Sequence, residues 1–170
     1  MNGVEGVENL VWILPDSRPE HYPGSWPLEF EERLLELYGF DFLDDLRKDV
    51  IQLFSGGVQY GFKVDLREDS HPDYHGDAHH LPIDWADRWK MCICDPPYTS
   101  NWSRVLYGMS HIIYSKYITE AVRIVQSGGF IASYHWSVTP TPDNCILHRR
   151  IFIGRDYFKK VRVCMVFQKR

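Results

Sequence analysis

Short apolar runs recur along the chain between polar segments that contain glycine and proline. Residues 91–94 form an uninterrupted run of apolar or small side chains, which is typical of a strand buried on both faces of a parallel sheet. Similar runs predict strands at residues 50–54, 61–66 and 130–136. Because these runs alternate with segments of helical spacing, the pattern predicts an α/β fold with a mostly parallel sheet.

Apolar positions three and four residues apart predict two helices. The first covers residues 27–38, with a proline in its first turn and Gly39 as its C-cap. The second covers residues 110–126 and is expected to end at Gly128 and Gly129. Each helix presents one apolar face that can cover the sheet.

Both ends of the chain are expected to add strands to this core. The apolar run at residues 9–15 is closed by a proline and is typical of an added edge strand. Residues 146–153 and 161–168 predict a closing antiparallel hairpin. The expected sheet is therefore parallel in its centre and antiparallel near its C-terminal end.

The connection between the first two core strands is unusually short. Only residues 55–60 separate them, whereas a parallel crossover normally needs a dozen or more residues and a helix. Six extended residues reach about 20 Å, just enough to return along a strand of about 17 Å. We therefore predict that the first crossover helix is missing. The sheet face is then either covered by the helix at 27–38 or uncovered, in which case a homodimer or a partner subunit would bury it.

Length and composition exclude several classes of protein. A chain of 170 residues is expected to form one domain, 1–170, with an N-terminal extension and loop at 1–26 and the core at 27–170. No apolar run reaches the ~18 residues of a membrane span, and residues 1–5 lack the basic start of a secretory signal. We therefore expect a cytoplasmic protein without a membrane partner. Its four cysteines are predicted to be buried thiols rather than disulfides or zinc ligands.

The net charge of −4 argues against strong binding to a polyanion, but the charges are unevenly distributed. Residues 148–170 carry eight lysines and arginines against the single acid Asp156, a local balance of +7, which leaves −11 for the remainder. Such asymmetry predicts a basic face able to contact phosphates. An edge hairpin protected by positive charge explains the same residues equally well.

The sequence Asp95-Pro96-Pro97-Tyr98 follows the buried strand directly. A proline cannot donate to a sheet ladder, and the residue before a proline is held in extended geometry. Asp95 is therefore expected at the carboxyl end of the strand, which is where open α/β sheets bind ligands. A simple strand-ending turn is the alternative.

This sequence resembles the D-P-P-Y signature of class I S-adenosylmethionine-dependent methyltransferases that modify exocyclic amino groups of nucleobases, chiefly adenine N6 and cytosine N4. The resemblance implies a compact, Rossmann-like variant in which Asp95 and the Pro96 carbonyl accept the two hydrogens of the amino group. Tyr98 would stack on the flipped base, and Pro97 would add rigidity. Two fixed acceptors would polarise an amine whose lone pair is delocalised into the ring.

The resemblance also implies S-adenosylmethionine as the cofactor. The family's loop after the first strand usually reads Phe-x-Gly-x-Gly, whereas Gly56 and Gly57 are adjacent here. An acid after the second strand binds the ribose hydroxyls in the family, and an Asp-Ala pair faces the adenine. The implied cofactor residues are Phe54, Ser55, Gly56, Gly57, Asp65, Leu66, Asp77 and Ala78. We predict no metal, because the histidines at 71–80 lack an ordered pattern of zinc ligands.

Residues 99–109 are interpreted as a polar and aromatic loop that could close over the base. Together with the basic C-terminal segment, it supplies the predicted nucleic-acid contacts, which are Trp102, Arg104, Arg149, Arg150, Lys159 and Lys160.

The predicted function is methyl transfer to an exocyclic base amine, with adenine N6 in DNA favoured. RNA is an open alternative, because a flipped base presents the same edge in either polymer. A partner subunit that keeps the fold without catalysis is another. No part of the chain is large enough for a separate recognition domain, so loops or a recognition subunit would have to select the target.

Overall fold

The computed structural model describes residues 6–16, 26–41, 45–108, 111–155 and 160–170. Within these ranges the strands are β1 (Glu8–Leu14), β2 (Val50–Leu53), β3 (Phe62–Asp65), β4 (Tyr74–His75), β5 (Trp89–Cys94), β6 (Val125–His135), β7 (Cys145–Arg155) and β8 (Arg162–Lys169). The α-helices are α1 (Phe30–Leu37), α2 (Ser100–Tyr107) and α3 (Tyr114–Ile124).

All eight strands join one sheet in the order β1-β7-β8-β6-β5-β2-β3-β4. Strands β6, β5, β2, β3 and β4 are parallel to one another, and β8 is antiparallel to both β6 and β7. Strand β1 lies at the sheet edge, parallel to β7. The predicted α/β class, the closing hairpin and the added edge strand are confirmed.

Strand β5 lies in the middle of the sheet, and its side chains reach both hydrophobic cores. Met91 and Ile93 face the core formed with α1, and Cys92 and Cys94 face the core formed with α3. These four side chains are at most 1% exposed. The Sγ atoms of Cys92 and Cys94 are 3.7 Å apart, and all four cysteines of the chain are free and buried, as predicted.

No helix forms between β2 and β3, so the predicted loss of the first crossover helix is confirmed. Right-handed crossovers place α3 on one sheet face and would place a helix between β2 and β3 on the other. Helix α1 covers that second face, where Leu34 and Leu35 join Val50 and Met91 in the core. Of the two alternatives, the covered face is therefore correct. The homodimer remains a prediction, without the uncovered face as its reason.

Residues 99–109 differ from the predicted loop, because α2 occupies most of them. Thr99 caps this helix by accepting the Trp102 N–H through its hydroxyl oxygen at 3.2 Å. Gly108 ends it in the left-handed conformation, with a φ of 67°. A threonine N-cap and a glycine C-cap are the local signals that predict such a short helix.

The junction of α3 and β6 also differs from the expectation that two glycines end the helix. Helix α3 ends at Ile124, β6 begins at Val125, and both glycines lie inside the strand. The strand register shifts here between Trp89 and Met91 of β5. A Cβ atom on Gly129 would lie 2.6 Å from the Lys90 carbonyl oxygen, so the strand can approach β5 only with glycine at that position.

Two kinds of feature are not found among the described residues. No helix there is long and apolar enough to span a membrane. No group of three or more His, Cys, Asp or Glu side chains there could hold a metal ion. The absence of a metal in the working protein stays a prediction.

Replacing Gly129 with alanine is expected to lower the free energy of unfolding by about 1–3 kcal/mol, because the new methyl group meets backbone that cannot move freely. Urea denaturation measures the change. Gly6→Ala is the control, since nothing lies within 4 Å of a Cβ atom built there. Equal stability of the two variants would contradict the close approach.

Candidate active site

A cavity of about 370 Å³ opens at the carboxyl edge of the parallel strands, at the N-terminal end of α1. Residues 26–29, 31 and 32 form one wall, and the loop 54–59 and residues 95–98 form the floor. Helix α2, the carboxyl ends of β6 and β7 and the beginning of β8 complete it with Trp102, Leu106, Tyr107, Tyr134, Arg155 and Arg162. Its volume lies in the range of small-molecule sites, about 300–1,000 Å³.

Asp95 and Tyr98 are joined to each other in this cavity. The Asp95 amide continues the sheet by donating to the Leu53 carbonyl at 3.3 Å, so the carboxyl group follows the end of β5, as expected. The Tyr98 hydroxyl donates to Asp95 Oδ1 at 2.5 Å. The half-buried Tyr98 ring has the Arg162 guanidinium 5.1 Å from its centroid and the His135 ring at 5.0 Å.

Burial raises the pKa of Asp95 to about 7, while the Tyr98 hydroxyl, Arg162 and Arg155 act in the opposite direction. At neutral pH the protonated and the ionised forms of the Asp95 carboxyl group are therefore both populated. Burial also raises the pKa of Tyr98, and the neighbouring Asp95 adds to this shift, so the phenol stays a hydrogen-bond donor.

The loop after β2 is held in an uncommon backbone conformation. Phe54 has a φ of 59°, which is rare for a residue with a side chain, and Gly56 has a φ of 47°. The Gly56 N–H donates to Asp65 Oδ2 at 2.9 Å. Ser55 Oγ is buried and has no hydrogen-bond partner within the described residues. Strain beside an unpaired hydroxyl is typical of a ligand site.

The structure places Asp65 beside the loop but not on the cavity wall. Its second oxygen accepts the Arg67 N–H at 2.9 Å, and the Tyr107 hydroxyl lies 3.4 Å from Oδ2. Burial raises the pKa of Asp65, which these hydrogen bonds oppose. Tyr107 lines the cavity and so lies between it and the carboxylate, and neither Asp65 nor Leu66 reaches the wall.

Asp77 and Ala78 also lie away from the cavity. Asp77 Oδ1 accepts hydrogen bonds from the backbone N–H and Nδ1 of His79, at 2.9 and 2.8 Å. His79 Nε2 in turn accepts the Ile113 N–H at 3.1 Å, and Ala78 is buried in the core. In this conformation Asp77 orients His79, which holds the start of α3.

The predicted basic face is divided between the two ends of the hairpin. On β7, Arg149 forms an ion pair with Glu8, and Arg150 Nη1 donates to Asn9 Oδ1 at 3.4 Å. Neither arginine lines the cavity. Both therefore contact the edge strand β1, which fits the alternative of a charged edge hairpin.

The other end of the same hairpin, where β7 ends and β8 begins, is basic and adjoins the site. Arg155 pairs with Asp16 and lines the cavity together with Arg162. Lys160 lies over the Trp136 ring, with Nζ 5.8 Å from its centroid. Lys159 lies outside the described residues. Arg155 and Arg162 belong to the basic segment identified in the sequence, but they were not among the predicted site residues.

Helix α2 presents its two predicted contact residues differently. Trp102 is 50% exposed and lines the cavity, whereas Arg104 is exposed on the helix and does not reach the wall. Trp102 is therefore placed to contact a ligand in the cavity.

No protein-family model matches the chain, and no curated protein matches it significantly. Solved structures do resemble it. TrmN from Thermus thermophilus matches with a TM-score of 0.59 at 15% identity, over 87% of this chain and 50% of that one. A proposed methyltransferase of Escherichia coli, yhhF, matches with a TM-score of 0.54 at 11% identity, over 88% and 90%. The PH0226 protein of Pyrococcus horikoshii OT3 matches with a TM-score of 0.52 at 12% identity, over 84% and 89%.

These matches decide the fold. The chain has the Rossmann-like class I methyltransferase fold. It spans about half the length of the TrmN chain. At such low identities the likeness shows the fold and not the chemistry.

A methyltransferase fold without its first crossover helix needs another support for the loop after β2, and Glu31 of α1 supplies it. The Glu31 carboxylate accepts the backbone N–H groups of Gln59 at 3.2 Å and Tyr60 at 3.0 Å, and the side-chain amide of Gln52. Glu31 is 5% exposed and lines the cavity. Burial raises its pKa to about 7 against these three hydrogen bonds.

Glu31 was not among the predicted site residues, although the sequence contains a signal for it. It lies three and four residues before Leu34 and Leu35, the buried positions of α1. A charged residue within the apolar face of a helix is rarely solvated and usually has a buried partner.

Replacing Glu31 with alanine is expected to lower the free energy of unfolding by about 2 kcal/mol or more, since two backbone N–H groups lose a charged acceptor. Glu31→Gln keeps one acceptor oxygen and should lose less. Glu36→Ala, on the exposed side of the same helix, is the control and should change stability by less than about 0.5 kcal/mol. Urea denaturation compares the three variants, and equal values would contradict the support of the loop.

Stability is expected to fall as pH rises through neutrality. Asp95 and Glu31 have folded-state pKa values of about 7, above their values of about 4 in an unfolded chain. The folded protein therefore binds more protons between about pH 4 and 7, and its extra stability at low pH is lost as pH rises through about 7. His135 and His148, whose pKa values burial lowers, act in the opposite direction.

The difference between the wild type and Asp95→Asn isolates one carboxyl group. The free energy of unfolding of the wild type should fall relative to that of the variant between pH 5 and pH 8. Urea denaturation at intervals of about one pH unit measures both proteins. Parallel pH profiles would contradict the raised pKa.

Proposed function

We propose that the protein transfers a methyl group from S-adenosylmethionine to an exocyclic amine of a nucleobase, with adenine N6 in DNA favoured. One observation carries this proposal. Residues 95–98, which resemble the D-P-P-Y signature, share one cavity with the loop 54–57 after the neighbouring strand. The implied base-binding residues and the implied cofactor loop are thus within reach of one ligand pair, whereas the other implied cofactor residues lie behind the wall.

The loop after β2 fits the cofactor by its chemistry. Ser55 Oγ is buried without a partner at the cavity, so a polar ligand group would satisfy it. Gly56 and Gly57 leave room for the close approach of a ligand to the backbone. S-adenosylmethionine would supply an electrophilic methyl group on a sulfonium. Asp65 remains the proposed ribose acceptor and would become accessible when Tyr107 moves.

Asp95 is the proposed acceptor for the target amine. Oδ1 accepts the Tyr98 hydroxyl, and Oδ2 has no hydrogen bond recorded within the described residues. An amine N–H donated to Oδ2 and another to the Pro96 carbonyl would turn the nitrogen lone pair out of the ring system. A carboxyl with a pKa of about 7 can also take up the proton that the nitrogen loses.

Tyr98 is the proposed stacking partner of the base. Extrusion of a base costs a few kcal/mol, and stacking on an aromatic ring offsets about 1–3 kcal/mol of it. The hydrogen bond to Asp95 and the contact with Arg162 hold the Tyr98 ring in one orientation before a base arrives. RNA remains the alternative polymer, since the same base edge is offered in either case.

A non-catalytic partner subunit is the second candidate, and one contact favours it. Tyr107 covers Asp65 and the Gly56 N–H is already bonded to that carboxylate. If this arrangement is permanent, the ribose of the cofactor has no acceptor. Calorimetric titration with S-adenosylmethionine separates the two candidates, because only the enzyme should release or absorb heat of binding.

The decisive experiment offers labelled S-adenosylmethionine to DNA and RNA in parallel and digests the products to nucleosides. The methyl group is expected on an exocyclic amine of one polymer. Asp95→Ala removes one preorganised acceptor, so the rate should fall by about 10² or more.

Calorimetry provides the control for Asp95→Ala, which should still bind S-adenosylmethionine because Asp95 contacts the base rather than the cofactor. Tyr98→Ala should weaken capture of the base more than binding of the cofactor. A wild-type rate in Asp95→Ala, or a methyl group on a ring carbon or a protein side chain, would rule out the proposed reaction.

A further inference from the structure

A row of aromatic rings with a cation at each end runs outwards from the cavity, at the carboxyl end of β6 and the beginning of β8. We call Tyr98, His135, Trp136, Lys160 and Arg162 the aromatic–cationic strip. The ring centroids of Tyr98 and His135 are 5.0 Å apart, and those of His135 and Trp136 are 6.4 Å apart. The row begins at the cavity floor with Tyr98 and ends in solvent with Trp136, which is 47% exposed.

Each end of the row carries a cation on its ring. The Arg162 guanidinium lies 5.1 Å from the Tyr98 centroid, and Lys160 Nζ lies 5.8 Å from the Trp136 centroid. The antiparallel pairing of β6 with β8, with His135 opposite Val163, places both cations beside the aromatic row. Rings that are flanked by cations in this way can stack on bases and pair with phosphates at the same time.

Arg162 provides an independent reason to expect an anion here. Its Nη1 atom is buried and has no hydrogen-bond partner within the described residues. Its charge favours the ionised form of Asp95 but leaves this nitrogen without an acceptor in that part of the chain. A buried guanidinium nitrogen without an acceptor is costly, and native structures rarely keep one without a use. A phosphate oxygen would satisfy it beside the ring that is proposed to hold the base.

We propose that the aromatic–cationic strip binds a single nucleic-acid strand, with a base stacked on Trp136 and a phosphate on Arg162, and guides the target base into the cavity. A duplex keeps its bases stacked on one another, so it cannot use the Trp136 face. This inference rests on the proposed function, because it takes the base in the cavity to be part of a strand. DNA and RNA strands share the recognised chemistry.

The first test measures binding by fluorescence anisotropy, without any methyl transfer. The probes are DNA and RNA single strands of about 12 nucleotides, within the usual range of single-strand sites, and a DNA duplex of the same length. Trp136→Ala should weaken single-strand binding by about 5- to 150-fold and leave duplex binding unchanged. Trp136→Phe keeps a stacking face and should restore most of the affinity. A duplex preference, or no change in Trp136→Ala, would overturn the proposal.

The second test uses salt dependence to find the phosphate contacts. Lys160→Gln and Arg162→Gln should each reduce the slope of log affinity against log salt by about 0.7 for single strands. Lys48→Gln removes the same charge from an exposed lysine just before β2, at the opposite edge of the sheet, and should leave the slope unchanged. Equal slopes in all variants and the wild type would overturn the proposal.

Arg162→Gln also separates a binding role from a structural one. Because the guanidinium has an unsatisfied nitrogen in the folded protein, its removal should leave the melting temperature unchanged or raise it, while strand binding weakens. Arg162→Lys keeps the charge and should recover the salt slope. A lower melting temperature with unchanged binding would assign Arg162 to the support of Tyr98 and overturn the phosphate contact.

The outcomes distinguish this proposal from the proposed function. Single-strand binding that depends on Trp136 and Arg162, without methyl transfer to any polymer, would support the strip and reject the enzyme. Methyl transfer to a base by Trp136→Ala and Lys160→Gln at the wild-type rate and affinity would support the enzyme and reject the strip.

Discussion

The buried carboxylate of Glu31 holds the backbone of the loop that joins β2 to β3. That loop has no helix, so the N–H groups of Gln59 and Tyr60 need an acceptor from elsewhere in the chain. The same contact holds α1 over the sheet face that a crossover helix would otherwise cover. The positions of the loop, of α1 and of the cavity between them therefore depend on one charged group, which is kept inside by its hydrogen bonds despite the cost of burial.

This arrangement gives the cavity walls of opposite charge. The α1 side carries Glu29, Glu31 and Glu32, and the hairpin side carries Arg155 and Arg162. Asp95 lies on the floor, where the arginines favour its ionised form against burial. A polyanionic strand would therefore be repelled by the first wall and attracted by the second, so the electrostatics favour its approach along β8.

Most polar groups of the site are paired with one another. Tyr98 donates to Asp95, and Asp65 accepts from Gly56. Ligand binding would exchange such internal hydrogen bonds for new ones, which costs little because each is worth only about 1 kcal/mol net. Ser55 Oγ and Arg162 Nη1 are different, since both are buried without a partner in the described part of the chain. A ligand can add a hydrogen bond at either of these two atoms without breaking one.

The local sequence determined the strands, the short β2–β3 loop and the place of Asp95. An apolar run ended by two prolines restricts the backbone whatever surrounds it, and six residues cannot contain a crossover helix. Only the tertiary structure decided that Glu31 is buried, that Tyr107 covers Asp65 and that Arg162 rather than Arg149 reaches the cavity. Each of these depends on which distant segments meet, because charge and polarity state what a side chain needs but not where the fold supplies it.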